Sequence, residues 1–548
     1  MSGSFFGFNT VVRGLFAAQK QLEVINHNIS NVNTPGYSRQ VAQQVAGIPY
    51  PLPGIQGMMG SGSEIISVDR IRDEYLDYKY WSENKAYGEW SAKMELLGDL
   101  EVLFNEPSES GFATIMNEFF NALQELSKDA SSESNRALVQ QKGVTLAKYF
   151  NSLAVHLEQY QADVNQKIRL KVEEINSLAV QISKLNDQIY AAEVDGSKAN
   201  DLRDRRALLV DELSKLVNIE VNEVVTGKMV NGQPEKHFII TINGKSLVNH
   251  NTVTKLKLVQ RDETMRLNEE DIPNLYHIVW EDGNKFEPKS GELKGYLDIR
   301  DGNDGKLGMD GVTASPAFKG IPYYIAQLNK FVRIFAMAFN EGYIDINGDG
   351  IIDASEDGYG HVDGYGMDPD GDGPLTSKTG IRFFTILGDD GNPVSSADFA
   401  GGATDIASIY DRYKSMTAKN FTVSKDVLED YNTIATSDAE GQAGNMNVIK
   451  KLIELRHNTE MFVEGAPEDF MKSLIATLGI DSQQAVRHSE NRENIIRQIE
   501  NRRLENSGVS LDEEMANMVR YQHAYNAAAR MILTMSEVYD TLINKLGL

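Results

Sequence analysis

An apolar seam runs along each extreme end of this chain, and that pair of seams restricts the fold more than any other feature. At the N-terminal end Phe8, Val11, Leu15, Ala18, Leu22, Ile25, Ile29 and Val32 recur at alternating steps of three and four residues. That spacing draws one stripe down a helix, as in a coiled coil. Asn33, Thr34, Pro35 and Gly36 end it, because proline cannot extend the ladder and disfavours α geometry at Thr34. At the other end Leu511, Met515, Met518, Gln522, Tyr525, Ala529, Ile532, Ser536, Tyr539, Ile543 and Leu546 follow the same alternation. Ser510 and Glu513 fit a capping box, and Asp512, Glu513 and Glu514 place negative charge at the positive end of the helix dipole. Chain ends fray most readily, so a stripe there needs a surface to cover it. Partners are expected to supply that surface; the alternative is a terminal hairpin folded back on its own domain.

Between the ends the pattern changes twice. Tyr75 to Asn105 and Phe112 to Val194 read as long helices, interrupted near Glu106, Pro107 and Ser108 and again over Asp129 to Ser134. Ile168, Ile175, Ile182 and Ile189, with Val172, Ala179 and Leu185 between them, are heptad-like. A second helical block runs from Asn445 through Leu504. From Val217 to Leu297 short β-branched and aromatic runs predict strands, and His237 to Ile242 followed by Asn243-Gly244 is a hairpin signal. Tyr323 to Asn340 is spaced as a helix, whereas Asp345 to Asp390 is rich in glycine and aspartate and reads as loop. The expected architecture is mainly α: terminal coiled-coil helices, a long helical bundle built from both halves of the chain, and an inserted β-rich outer domain. In residues these units are 1–70 with 508–548, 71–216 with 407–507, and 217–406 carrying the Asp/Gly-rich loop 345–373.

The chemistry suggested by the composition is mostly negative. A net charge of -25 repels phosphate backbones and anionic lipid, so nucleic acid is not an expected partner. No apolar run nears the roughly 20 residues that span a bilayer, so membrane insertion is not expected either. The first ten residues lack the basic and apolar regions of a cleaved secretory signal. Absence of cysteine removes disulfides and thiolate sites. The nine histidines are scattered, no His-Glu-x-x-His or Gly-x-Ser-x-Gly occurs, and no catalytic residue is expected.

One segment does point to a ligand. Asp345 to Glu356 matches the calcium-loop pattern at every constrained position. Asp345, Asn347, Asp349 and Asp353 would give side-chain oxygens, Ile351 a backbone carbonyl and Glu356 a bidentate carboxylate, around a structural Ca²⁺. Asp368, Asp370, Asp372 and Gly373 begin the same pattern, but Pro374 follows and Thr379 stands where glutamate should close it.

Asn26 to Gln40 resembles the N-terminal signature of the flagellar rod, hook and hook-associated proteins. Asn28, Asn31, Thr34, Gly36 and Tyr37 match the general pattern, and Ser38, Arg39 and Gln40 match the version of its hook–filament junction members. Ser507 to Glu514 and Tyr521 to Arg530 are similar to that family's ending. Fainter echoes lie at Gly291, Leu293, Gly295 and Arg300, and at Ile434-Ala435 and Gly444-Asn445. The resemblance implies a non-enzymatic component joining hook to filament, exported unfolded through the flagellar type III channel with an export chaperone. It implies a ring of identical subunits, with hook protein on one side and a second junction protein or filament subunits on the other. The assembly residues would be Leu15, Leu22, Ile25, Ile29, Asn31, Thr34, Gly36, Tyr37 and Arg39, with Leu511, Met515, Met518, Gln522, Tyr525, Ala529, Ile532, Tyr539 and Ile543. Where the family passes from an Asn-rich helix end, here Asn340 to Gly342, almost directly into a strand like Ile381 to Phe384, this chain inserts its acidic glycine-rich stretch. Two rivals stand beside this reading: a secreted, calcium-stabilised enzyme or adhesin, and another axial protein of hook or rod type.

Overall fold

The computed structural model describes residues 4–51, 57–104, 111–230, 233–345, 359–367, 379–403, 405–442 and 444–545. The fold is mainly α, with small antiparallel sheets. Its long helices are α1 (Ser4–Ser30), α2 (Glu74–Phe104), α3 (Phe112–Leu126), α4 (Glu133–Glu193), α5 (Asn200–Leu216), α6 (Glu292–Asp301) and α7 (Ile321–Glu341). Four short helices follow, α8 (Ser396–Ala400), α9 (Ile406–Tyr413), α10 (Lys425–Glu429) and α11 (Asn447–Glu454), and then α12 (Pro467–Ser507) and α13 (Leu511–Asp540).

The spine is α4, whose 61 residues extend about 90 Å at 1.5 Å per residue. Ser132 caps it by accepting from the Asn135 N–H, and α3 stops at Leu126, so the expected break at Asp129 to Ser134 is present. Ile168, Ile175, Ile182 and Ile189 are all buried along one side, as their heptad spacing requires. The strongest packing is aromatic. Phe331 of α7 stacks on Phe150 of α4 at 5.1 Å and on Phe462 at 5.2 Å, and meets Phe112 of α3 edge-on at 5.4 Å. Phe335 and Phe339 extend this cluster to Phe120, Phe119, Phe383 and Phe384.

The strands are β1 (Gln40–Ala46), β2 (Tyr50–Pro51), β3 (Met58–Met59), β4 (Ser63–Arg70), β5 (Glu220–Val230), β6 (Gln233–Ile242), β7 (Lys245–Asn249), β8 (Thr252–Val253), β9 (Leu256–Gln260), β10 (Tyr276–Trp280), β11 (Phe384–Ile386) and β12 (Phe421–Val423). β5 to β8 form a four-stranded antiparallel meander, and β1/β4, β2/β3, β9/β10 and β11/β12 form two-stranded ribbons. Asn243 and Gly244 join β6 to β7 with φ of 52° and 81°, the pair of positive angles that a type I′ turn needs. Three asparagines of α4 satisfy the adjoining strand backbones. Asn165 Oδ1 accepts from Tyr276 N, Asn176 both donates to and accepts from the Leu256 backbone, and Asn186 donates to His250 O, all within 2.9 Å. The sheet groups that would otherwise be unpaired are thereby paired by a helix.

Two elements differ from the sequence reading. Within 217–406 the strands β5 to β10 end at Trp280, and beyond them α6 and α7 pack into the same apolar core as α2, α3 and α4. The helical block from Asn445 is two helices separated between Leu455 and Ala466, where Gly465 takes φ of +116°. The insertion leaves and returns at one place: Asn340 donates to Phe384 O at 2.7 Å and accepts from Phe384 N at 3.0 Å. The helix end and the strand expected to follow it are thus directly paired across the extra stretch.

Candidate assembly interface

α1 and α13 lie against each other and run antiparallel. Phe8 meets Tyr539 edge-on at 6.2 Å near one end, and Asn28 donates to Glu514 Oε2 at 3.3 Å near the other. Beside Phe8, Gly7 is seated against the terminal methyl of Met535. Part of the cover for each seam therefore comes from the opposite end of the same chain. The cover is incomplete. Met518, Ala529, Ile532 and Tyr539 are half-buried, as are Leu15, Leu22 and Ile29, while Ile25 is buried. Leu511, Met515, Gln522, Tyr525 and Ile543 stay exposed, Met515 by 58%. Val519, Met531, Leu533 and Val538, outside the expected seam, are exposed too, Leu533 by 65%. Val519 and Leu533 fall in line with Met515 at the edge of the seam, while Met531 and Val538 lie on the far side of the helix.

The signature segment forms a polar node at the root of this helix pair. Asn28 donates to Gln40 O and accepts from Gln40 N, both at 2.9 Å, so its side-chain amide stands in for a strand partner. Tyr37 donates to Asn28 Oδ1 at 2.8 Å, and its hydroxyl lies 2.9 Å from His27 Nδ1. Burial, with Asp201, Asp204 and Glu514 nearby, holds that phenol far above the usual tyrosine range and hence neutral. Gly36, at φ of +74°, lets the turn close over Leu208. Asn31 donates to His27 O, and Thr34 to Asn31 Oδ1. Arg39 Nε binds Glu514 Oε1 at 2.7 Å, its Nη1 binds Glu513 at 3.1 Å, and its backbone N–H donates to Ser507 O.

Glu514 is only 2% exposed, so this charge pair is the chief electrostatic link between the two ends. The capping box is half realised: Ser510 Oγ accepts from Glu513 N, but the Glu513 carboxylate is drawn to Arg39 instead. Below the node, Asp204 accepts from Ser38 and from Arg70 Nη1 at 2.8 Å, while Arg503 reaches both Asp77 and Asp211. These bonds tie the terminal pair to α5, α2 and α12. Glu514, Asp204 and Arg503 are the node residues whose partners sequence spacing missed, since those partners lie far along the chain, from 134 positions for Arg70 and Asp204 to 475 for Arg39 and Glu514.

Of the six expected calcium ligands, Asp345 lies among the described residues and is buried, just beyond the left-handed Gly342 that ends α7. Asn347, Asp349, Ile351, Asp353 and Glu356 lie outside them, as do Asp368, Asp370 and Asp372. Among the described residues no group of three or more His, Asp or Glu is placed to hold a metal, and no helix is long and apolar enough to cross a membrane.

Comparison with known proteins accords with this geometry. Residues 8–37 match the model "Flagella basal body rod protein" and residues 500–546 match "Flagellar basal body rod FlgEFG protein C-terminal", so each arm of the terminal pair is similar to a flagellar basal body rod family. Residues 97–348 match "Flagellar hook-associated protein FlgK helical domain". Flagellar hook-associated protein 1 of Bacillus subtilis is 31% identical, covering 100% of this chain and 99% of that protein. Its counterpart in Escherichia coli is 27% identical over 98% and 99%. The fold is similar to the solved flagellar hook junction protein FlgK from Burkholderia pseudomallei, with a TM-score of 0.51 and 14% identity over 79% of this chain and 100% of that one. The chain belongs to the flagellar hook-associated protein 1 family and is a structural component of the bacterial flagellum.

Proposed function

We propose that the chain joins hook to filament by self-assembly through its terminal helix pair, without enzymatic activity. The observation that carries this reading is the exposed apolar line of Met515, Val519 and Leu533 on α13, with Met531 exposed on another side of a helix already paired with α1. A water-facing stripe of that kind marks a surface built to be covered. Sister subunits in a ring cover it laterally, with hook protein on one side and a second junction protein or filament subunits on the other. Residues 1–70 with 508–548 act as the inner assembly unit and 71–216 with 407–507 as the bundle outside it. The chain leaves the cell unfolded through the flagellar export channel, carried to it by a chaperone. The loop 345–356 binds a structural Ca²⁺, a reading supported by its ligand spacing. Calorimetry in which wild-type protein takes up calcium and Glu356→Gln does not is the expected result for the loop; identical traces would remove it.

The junction role is tested in a strain lacking the gene, complemented with Met531→Asp/Leu533→Asp. Electron microscopy is expected to show hooks that fail to hold filaments, although the purified variant keeps its bundle helicity. Filaments of wild-type number and length would overturn the assignment.

A further inference from the structure

A cleft of about 1060 Å³ opens between β7, β10, the start of α6 and the hairpin 303–316, lined by no residue of the terminal helices. Its wall is basic in a chain of net charge -25: Lys245, Arg261, Arg266, Lys285, Lys289 and Lys294 all line it. The carboxylates at the same wall are already engaged. Asp301 is held by Arg261 at 2.8 Å and by Arg300 at 2.7 Å, Glu287 by Lys285 at 2.5 Å, and Asp310 accepts from Thr313 at 2.6 Å. Lys245 and Lys294 have Asp282 and Asp298, but Lys289 has no carboxylate among the described residues.

Two donors at this wall are left over. Ser315 is 4% exposed and its Oγ has no hydrogen-bond partner among the described residues. Arg266 Nε is likewise buried and unmatched, although Nη1 of the same side chain pairs with Glu263 at 3.3 Å and Nη2 donates to Glu269 O at 2.8 Å and Asp271 O at 2.6 Å. Both residues line the cleft, and the hairpin that carries Ser315 is tied beside Arg266 by the Met309 N–H bond to Leu267 O. Buried donors are almost always matched, so two unmatched ones on one cationic wall mark a missing acceptor. An oxyanion matches both the donors and the charge, since charge-assisted bonds to it are the strong ones.

We propose that this cleft binds a small polyvalent oxyanion, bearing carboxylate or phosphate groups, which Arg266 Nε and Ser315 Oγ orient and the lysine rim attracts. His277 lines the same wall and reports on occupancy. Its imidazole is biased to the neutral form by burial and by Arg261, Lys285 and Arg300, with Asp301 opposing and Glu287 also close. A bound anion reverses that bias.

The test is titration calorimetry of the full chain at fixed ionic strength, with inorganic pyrophosphate and separately with citrate. The expected result is one-to-one binding of at least one probe, weakened tenfold or more by Ser315→Ala and by Arg266→Lys, with helicity and melting unchanged. Under saturation the His277 resonance, assigned with His277→Gln, titrates at higher pH than in the free chain. Uptake of pyrophosphate alone supports a phosphate-bearing ligand, and of citrate alone a carboxylate-bearing one. No heat from either probe, or affinities that Ser315→Ala leaves unaltered, would overturn the site.

Discussion

Arg39 and Glu514 stand 475 positions apart and meet at 2.7 Å, a partly buried charge pair at the root of the helix pair that joins the two ends of the chain. Removing one partner of a buried pair leaves an uncompensated charge, at about 3–5 kcal/mol when both are enclosed. Arg39 is partly open to water, so Arg39→Ala is expected to cost less, about 2–3 kcal/mol. The loss is local: hydrogen exchange should rise across Ile25–Gln40 and the first turns of α13, while melting of the bundle stays put. A uniform loss over the whole molecule would contradict the node's local role. His361 offers a second test at this scale. Burial, with Arg136 nearby, lowers its pKa to about 4, and its Nε2 accepts from Ala435 N while Nδ1 faces Ile381 O. Unfolded, the same ring titrates near 6.5. Between those values the unfolded chain binds the extra proton, so stability falls as pH falls from about 6.5 towards about 4, by about 3 kcal/mol in all. Urea unfolding at pH 7 and pH 5 should show that slope in the wild type and a flatter one in His361→Gln. Equal slopes would show that some other group titrates.

At the scale of elements, periodicity told more about what each segment is than about what it touches. The breaks at Asp129 to Ser134, the Asn243-Gly244 turn and the buried isoleucines of α4 were legible because each depends on neighbours within a few residues. The stacking of Phe331 on Phe150 and Phe462 was not, since an apolar stripe states which face is buried and not which partner buries it. The same limit applied to the candidate interface: the terminal seams and their place in one unit of 1–70 with 508–548 were stated beforehand, but the particular contacts of their antiparallel pairing, and the exposed apolar side chains that α13 keeps outside its seam, were not legible. Gly295 lies between these cases. Its echo of a family segment has a physical cause in the α6–α2 contact, where a Cβ would come within 2.7 Å of Glu89 O and 2.9 Å of the Ala92 Cβ. Gly295→Ala must push backbone apart, and a cost of about 1–3 kcal/mol is expected in denaturant unfolding. A stability equal to wild type would mean that the two helices slide without penalty.

For the whole molecule, the division of labour follows from where apolar surface is satisfied. One continuous core, running from Ala92 on α2 to Ala485 on α12, gathers residues from both halves of the chain and from the sheets. The terminal pair stands outside that core and is joined to it largely through polar contacts, among them Ser38 and Arg70 with Asp204, Gln40 with Asp201 and Arg39 N with Ser507 O. A two-helix pair of about 30 residues per arm is marginal in water by itself, because most helical stability comes from packing and little from propensity. Assembly supplies that packing. Each 100 Å² of apolar surface covered then contributes about 2.5 kcal/mol against the entropy of ordering, so on the proposed reading the free subunit is expected not to polymerise early through a rigid, ready-made interface. Hydrogen exchange of residues 4–40 and 508–545, in the monodisperse subunit and again in isolated hook–filament junctions, tests this most directly. Rapid exchange in the free chain and strong protection in the junction is the expected outcome. Full protection of both arms in the lone subunit would contradict it.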